Sequence, residues 1–198
     1  MNRLIIVVSF LVLLSLPLVG QNWETVNLDS FDISEQGISL YATSNFGLAL
    51  FDTSFEGVQI KKEVEIEGIV WLPDKDNNQS ETYLVFGVDS AGKKLLWGVG
   101  YSQRNKKIAF GTVFLDSMNN SVYIEYQIIE QKNIDIIPPQ NRLSYKILFF
   151  FHSNEMEVRI NGVPLKTAQP LPFNTVNQLG YLIKGKNLRV ERPLVRLR

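Results

Sequence analysis

The sequence predicts an all-β protein, folded as a two-layer antiparallel β-sandwich. Three observations carry that expectation. Apolar residues recur at every second position in segment after segment, which is the period of a half-buried strand. Turn-forming residues interrupt these segments roughly every eight to twelve positions. After the first twenty residues, no window longer than about ten residues holds a clean helical period. At 45% hydrophobic and 11% aromatic, a chain of 198 residues can bury a sizeable core.

The first element stands apart. Residues 1–20 carry one positive charge, Arg3, then an apolar run from Leu4 to Leu16, then Pro17 and Gly20. That is the layout of a secretory signal peptide. The run is short for a membrane span of ~20 residues. The mature domain is then 21–198, with no transmembrane segment. Twenty basic residues less Arg3, against twenty acidic ones, leave it at −1.

The strands follow in order. EVEIEGIVW places Val64, Ile66, Val70 and Leu72 on one face. A break at 73–80 leads to ETYLVFGV, with Leu84, Phe86 and Val88 together. LLWGVGY aligns Leu95, Trp97, Val99 and Tyr101. IAFGTVFL aligns Ile108, Phe110 and Phe114, and SVYIEYQII aligns Val122, Ile124, Tyr126 and Ile128. A loop with Pro138 and Pro139 precedes LSYKILFFF, which puts Leu143, Tyr145, Ile147, Phe149 and Phe151 on one face. MEVRI runs back with Met156, Val158 and Ile160. Asn161-Gly162 marks a two-residue hairpin, because a type I′ turn needs two positive φ angles. LGYLI and LRVERPLVRL close the chain, with Pro193 assigning the last strand to an edge or an interruption. The count is roughly ten to twelve short strands. Gly87, Gly98, Gly100 and Gly111 fall inside strands, where glycine marks bulges or close backbone approach.

Composition excludes several classes. A formal net charge of zero offers no field for nucleic acid. The absence of cysteine excludes a thiolate metal site, a cysteine nucleophile and a lipid-modified cysteine. The expected address is outside the cytoplasm of a bacterium: periplasm, cell surface or medium.

The order of the pieces carries a resemblance. WETVN, EVEIEGIVW, YLVFGVD and LLWGVGY lead to the long aromatic strand LSYKILFFF, then MEVRINGVPL, then LGYLI before a final strand. This resembles exported concanavalin A-like jelly-roll domains of the laminin-G and lectin/glucanase type, over about residues 23 to 197. The resemblance implies two antiparallel sheets, one of them concave. That fold hosts lectins, glycan hydrolases, lyases and plain interaction modules, so it does not choose among them.

The carboxylates Glu63, Glu65 and Glu67 sit two apart, hence on one strand face with Ile69 and Trp71. Same-face neighbours lie ~6.6 Å apart, within reach of the ~5–9 Å that separates the two carboxyl groups of glycosidases. Laminarinase-like hydrolases of the resembling fold carry Glu-x-Asp-x-(x)-Glu on such a strand. Here the middle residue is Glu65, and alternation with Val64 and Ile66 is what any half-wet strand shows. Glu65 and Glu67 are thus the catalytic candidates if the protein is an enzyme. Glu67 with Trp71 is the ligand-binding candidate, a carboxylate beside a ring on which a sugar could stack.

Asp74, Asp76 and Asn78 alternate as in the first half of a calcium loop, but Gln79 and Val85 stand where its glycine and closing glutamate belong. A structural calcium there competes with a solvated turn, and no other cofactor pattern is present. His152 is the only histidine, which excludes an ordinary zinc site. The basic C-terminal segment, Lys184 to Arg198, suits an edge strand guarded by charge. The leading expectation is an exported, non-catalytic binding or interaction module with a glycan or an envelope protein as partner. A glycan hydrolase or lyase using Glu65 and Glu67, and a structural cell-envelope domain, are the alternatives.

Overall fold

A computed structural model describes residues 23–34, 37–52, 63–72, 80–116, 118–131, 141–150, 153, 155–165 and 175–197. The expected leader at 1–20, the calcium candidates Asp74, Asp76 and Asn78, the prolines 138 and 139, and His152 lie outside the described residues.

Thirteen strands are present among the described residues. They are β1 (Trp23–Val26), β2 (Ser30–Ser34), β3 (Gly37–Asp52), β4 (Val64–Trp71), β5 (Glu81–Ser90), β6 (Lys93–Ser102) and β7 (Lys107–Asp116). They continue with β8 (Ser121–Gln131), β9 (Arg142–Phe150), β10 (Glu155–Ile160), β11 (Val163–Leu165), β12 (Gln178–Val190) and β13 (Leu194–Leu197). All pairings are antiparallel.

The strands form one continuous sheet folded over on itself, with β3 and β12 running through both layers. The first half of β12 lies between β3 and β5. Past register shifts around Gly185, its second half lies between β3 and β4. One layer is therefore β1-β3-β12-β5-β6-β7-β8. The other is β11-β10-β9-β4, continued by the end of β12, by β13, and by the start of β3 with β2.

The core between the layers is built from the alternating residues of the sequence. Val64, Ile66 and Val70 face Leu84 and Phe86, Val99 and Tyr101, Ile108 and Phe110, with Leu143, Tyr145, Ile147 and Phe149 beside them. Burial at about 25 cal/mol per Å² of apolar surface makes this the main stabilising term. One polar bridge crosses it: the Tyr145 hydroxyl meets Thr82 Oγ1 and donates to the Thr82 carbonyl at 3.0 Å. Asn161 and Gly162 have φ of +47° and +79°, as the type I′ hairpin between β10 and β11 requires.

Some expected faces divide differently. Val122 and Ile124 belong to a second apolar cluster on the far side of the β5–β8 layer, with Leu48, Leu50, Tyr83, Val85, Leu96, Val113 and Leu182. Tyr126 follows Val122 and Ile124 in unbroken alternation and meets Tyr83 of that cluster, and the register shift of β8 comes only beyond it, between the partners of Gly111 and Phe110. Leu95 is 53% exposed, and Phe114 stacks on Tyr123 at 5.1 Å beyond the edge of the main core. The second cluster is buried because the layer curls until β8 approaches β3. The far side of this layer is thus concave, and most of its hollow is filled by side chains.

Candidate functional site

The carboxylates of β4 point away from the concave side. Val64 and Ile66 face the core, so Glu65 and Glu67 lie on the convex outer face of the other layer, beside β13 and β9. Arg196 Nη1 contacts Glu65 at 2.9 Å and Glu67 at 2.7 Å, and Lys146 Nζ contacts Glu65 at 3.0 Å. The Glu65 side chain is only 1% exposed. Both carboxylates thus pair with cations of neighbouring strands, an arrangement that ties β9, β4 and β13 together. Glu63 precedes the strand and is half-buried.

Trp71 ends the same row. Its indole N–H donates to Glu191 Oε1 at 3.1 Å. Guanidinium groups stand over the ring at 4.9 Å (Arg189) and 5.7 Å (Arg142). The ring is flanked by cations from the strands on its two sides.

An open groove of about 450 Å³ lies on the concave side instead. Its floor is Val26, Leu96, Val113 and Leu115, where the apolar filling thins toward the β7–β8 turn. Alternation explains the floor: Leu96, Val113 and Val26 occupy the concave-facing positions of β6, β7 and β1. Glu24 and Lys94 occupy the same phase and rise at the rim. Lys94 Nζ contacts Glu24 at 2.7 Å and Asp89 at 3.5 Å. Burial works to lower the Lys94 pKa, but the Glu24 hydrogen bond and charge, with Asp89, outweigh it and raise the value.

Asp116 closes the other end. It accepts hydrogen bonds from the Asn119 side chain at 2.6 Å and from the backbone N–H of Met118 and Asn119. The Asn119 side-chain amide, then the Asn119 backbone, hold the Asp116 carboxyl below its usual range. Asn120 completes the rim, with a left-handed φ of +45° that suits asparagine. Polar donors and acceptors above an aliphatic floor suit a polyol with one apolar face.

The alternation within each strand fixed which residues could face this groove. It did not reveal that Glu24 and Lys94 meet. Nothing local in WETVN or DSAGKK signals their contact, which depends on the curl of the whole layer.

No family model and no curated protein matches the sequence. Solved structures do. The chain is similar to carbohydrate binding module CBM66 from Bacillus subtilis at 15% identity, over 86% of this chain and 95% of that one, with a TM-score of 0.53. It is similar to a glycoside hydrolase family 16 endo-glucanase from Bacteroides ovatus at 10% identity, over 89% and 94% of the two chains, with a TM-score of 0.51. The fold is a concanavalin A-like jelly roll. At such identities the likeness extends to the fold and no further.

Proposed function

We propose that this protein is an exported, non-catalytic carbohydrate-binding module, and that the groove bounded by Glu24, Lys94 and Asp116 holds its ligand. The observation that carries the reading is the groove's position and make-up. It is an open part of a concave face that buried side chains largely fill among the described residues, with an aliphatic floor and a rim that both donates and accepts hydrogen bonds. The similarity to a carbohydrate binding module supports it through the fold. The ion pairing of Glu65 and Glu67 on the opposite face favours binding over hydrolysis, since neither residue lines the groove. The leader at 1–20 supports export.

Native affinity electrophoresis against soluble neutral polysaccharides tests the reading. Retardation by at least one neutral glycan is expected. Lys94→Met, which keeps the stem and removes the donor, should weaken it about tenfold, the effect of losing one charge-assisted hydrogen bond. Absence of retardation by every neutral glycan, or unchanged retardation of the Lys94 variant, would refute the site. Release of reducing ends by the purified protein would replace the module with a hydrolase. Terminal sequencing of protein recovered outside the cytoplasm should begin near Gln21.

A further inference from the structure

The convex face presents an arrangement that the groove does not explain. Arg142 on β9, Trp71 on β4 and Arg189 on β12 are register partners across three adjacent strands. Both guanidinium groups stand over the one indole, at 5.7 and 4.9 Å. The Trp71 hydrogen bond to Glu191 fixes the plane of the ring. Among the described residues, no carboxylate lies within ion-pair distance of Arg142 or Arg189. On the same layer, by contrast, Arg196 takes Glu65 and Glu67, and Arg159 takes Glu157.

Stacking has a directional consequence. A guanidinium that lies over a ring gives its face to the π-cloud and keeps its N–H donors in its own plane. Those donors form the fork that matches an oxyanion with two hydrogen bonds. The indole thus gathers two guanidinium groups, carried on strands about 10 Å apart because neighbouring strands are separated by ~4.8 Å; Arg189 Nε is buried, so its terminal N–H groups are the ones that reach outward. Two oxyanion positions at that separation suit a polymer with repeated acidic groups better than a single small anion. Glu191, the nearest acid in the row, is engaged by the indole N–H. The zero net charge of the chain leaves no extended basic field of the kind nucleic acid needs.

We propose that Arg142 and Arg189, aligned by Trp71, bind the oxyanions of an acidic polysaccharide on the convex face. This site is separate from the concave groove. Its success or failure is independent of the neutral-glycan reading.

Tryptophan emission supplies a local readout. Trp23 and Trp97 pack against the main core, so a change on binding reports Trp71. The full chain would be titrated with polygalacturonate, with dextran sulfate, and with neutral dextran as control. Gel retardation and an emission change are expected with at least one polyanion, and no Trp71 emission change with dextran, and the comparison tells carboxylate from sulfate. Both effects should weaken as salt screens the contacts. Arg142→Ala and Arg189→Gln should each cost about tenfold in affinity, with far-UV circular dichroism confirming the fold. Arg142→Lys keeps the charge and loses the fork, so it should not restore binding. The proposal fails if neither polyanion binds, if Arg142→Ala or Arg189→Gln binds undiminished, or if Arg142→Lys restores full affinity. Should Arg189→Gln not fold, Arg142→Ala alone decides the matter.

Discussion

Tyr181→Phe tests how the two layers are joined. Near the end of β12 the chain passes β4 at Ile69 and Glu191. The Glu191 N–H donates to the Ile69 carbonyl at 2.9 Å. In a regular antiparallel pair the Ile69 N–H would return the bond to the Glu191 carbonyl. Here it donates to the Tyr181 hydroxyl at 3.2 Å, and that hydroxyl donates to the Glu191 carbonyl at 2.7 Å. A phenol thus fills the gap where the strands splay. Phenylalanine keeps the ring and leaves one donor and one acceptor without it. An unpaired group costs about 1–3 kcal/mol when fully buried. Ile69 and Glu191 are half-buried, so the lower part of that range applies to each. The expected loss is about 2–3 kcal/mol in total, or about 4–12 °C in Tm for a domain of this size. Urea unfolding with an unchanged m-value would measure it. A loss below about 0.5 kcal/mol would refute the bridging role.

Three further outcomes follow from the same structure. Tyr83, Tyr145 and Tyr181 have pKa values raised chiefly by burial; the unfolded chain ionises them near pH 10. Their contribution is therefore fully present below about pH 10 and is lost above it, by about 1.4 kcal/mol per pH unit for each tyrosine. Urea midpoints measured from pH 8 to 11 that stayed flat would contradict this. Glu65→Ala should cost about 2 kcal/mol, because a buried carboxylate shared by two cations is removed. Glu67→Ala should cost under about 1 kcal/mol as a more exposed pair, and equal losses in denaturant melts would argue against the network. In Gly180→Ala the new methyl would lie 1.9 Å from the Ala49 carbonyl oxygen. That variant should lose more than about 3 kcal/mol or fail to fold. Gly162→Ala, at φ +79° with open space around it, should cost about 1 kcal/mol. Similar melting of the two glycine variants would overturn the close approach of β3 to β12.

The fold was legible wherever one strand face met the core and the other met water. LSYKILFFF and MEVRI show that alternation, and Tyr145, Ile147, Met156 and Val158 are buried as it implies. β3 was not legible. Its LALF segment, Leu48 to Phe51, is buried on both faces because its layer packs on the main core and also curls over the second cluster. A strand in that position has no polar phase to reveal it. The same curl explains why Leu95 is exposed and Val122 hidden: alternation gives a phase but not the sign of curvature. Glu65 illustrates the limit at the level of sites. Its spacing from Glu67 was legible, and so was the phase opposite Val64 and Ile66, but its pairing with Arg196, far along the chain, was not. The groove rim fell outside reach for the same reason, being assembled from β1, β6 and the β7–β8 turn.

The sharing of β3 and β12 between layers has a consequence for how the chain matures. Gln178 pairs with Asp52 and Val190 with Ile38, so the seam of the molecule joins an early segment to a late one. During synthesis the early strand emerges long before its partner exists. Its apolar residues must wait uncovered or be shielded by a chaperone. The seam therefore closes late and slowly, as contacts between distant segments demand. A nascent chain arrested before Gln178 would lack the strand that unites its layers and would be the form most exposed to proteolysis.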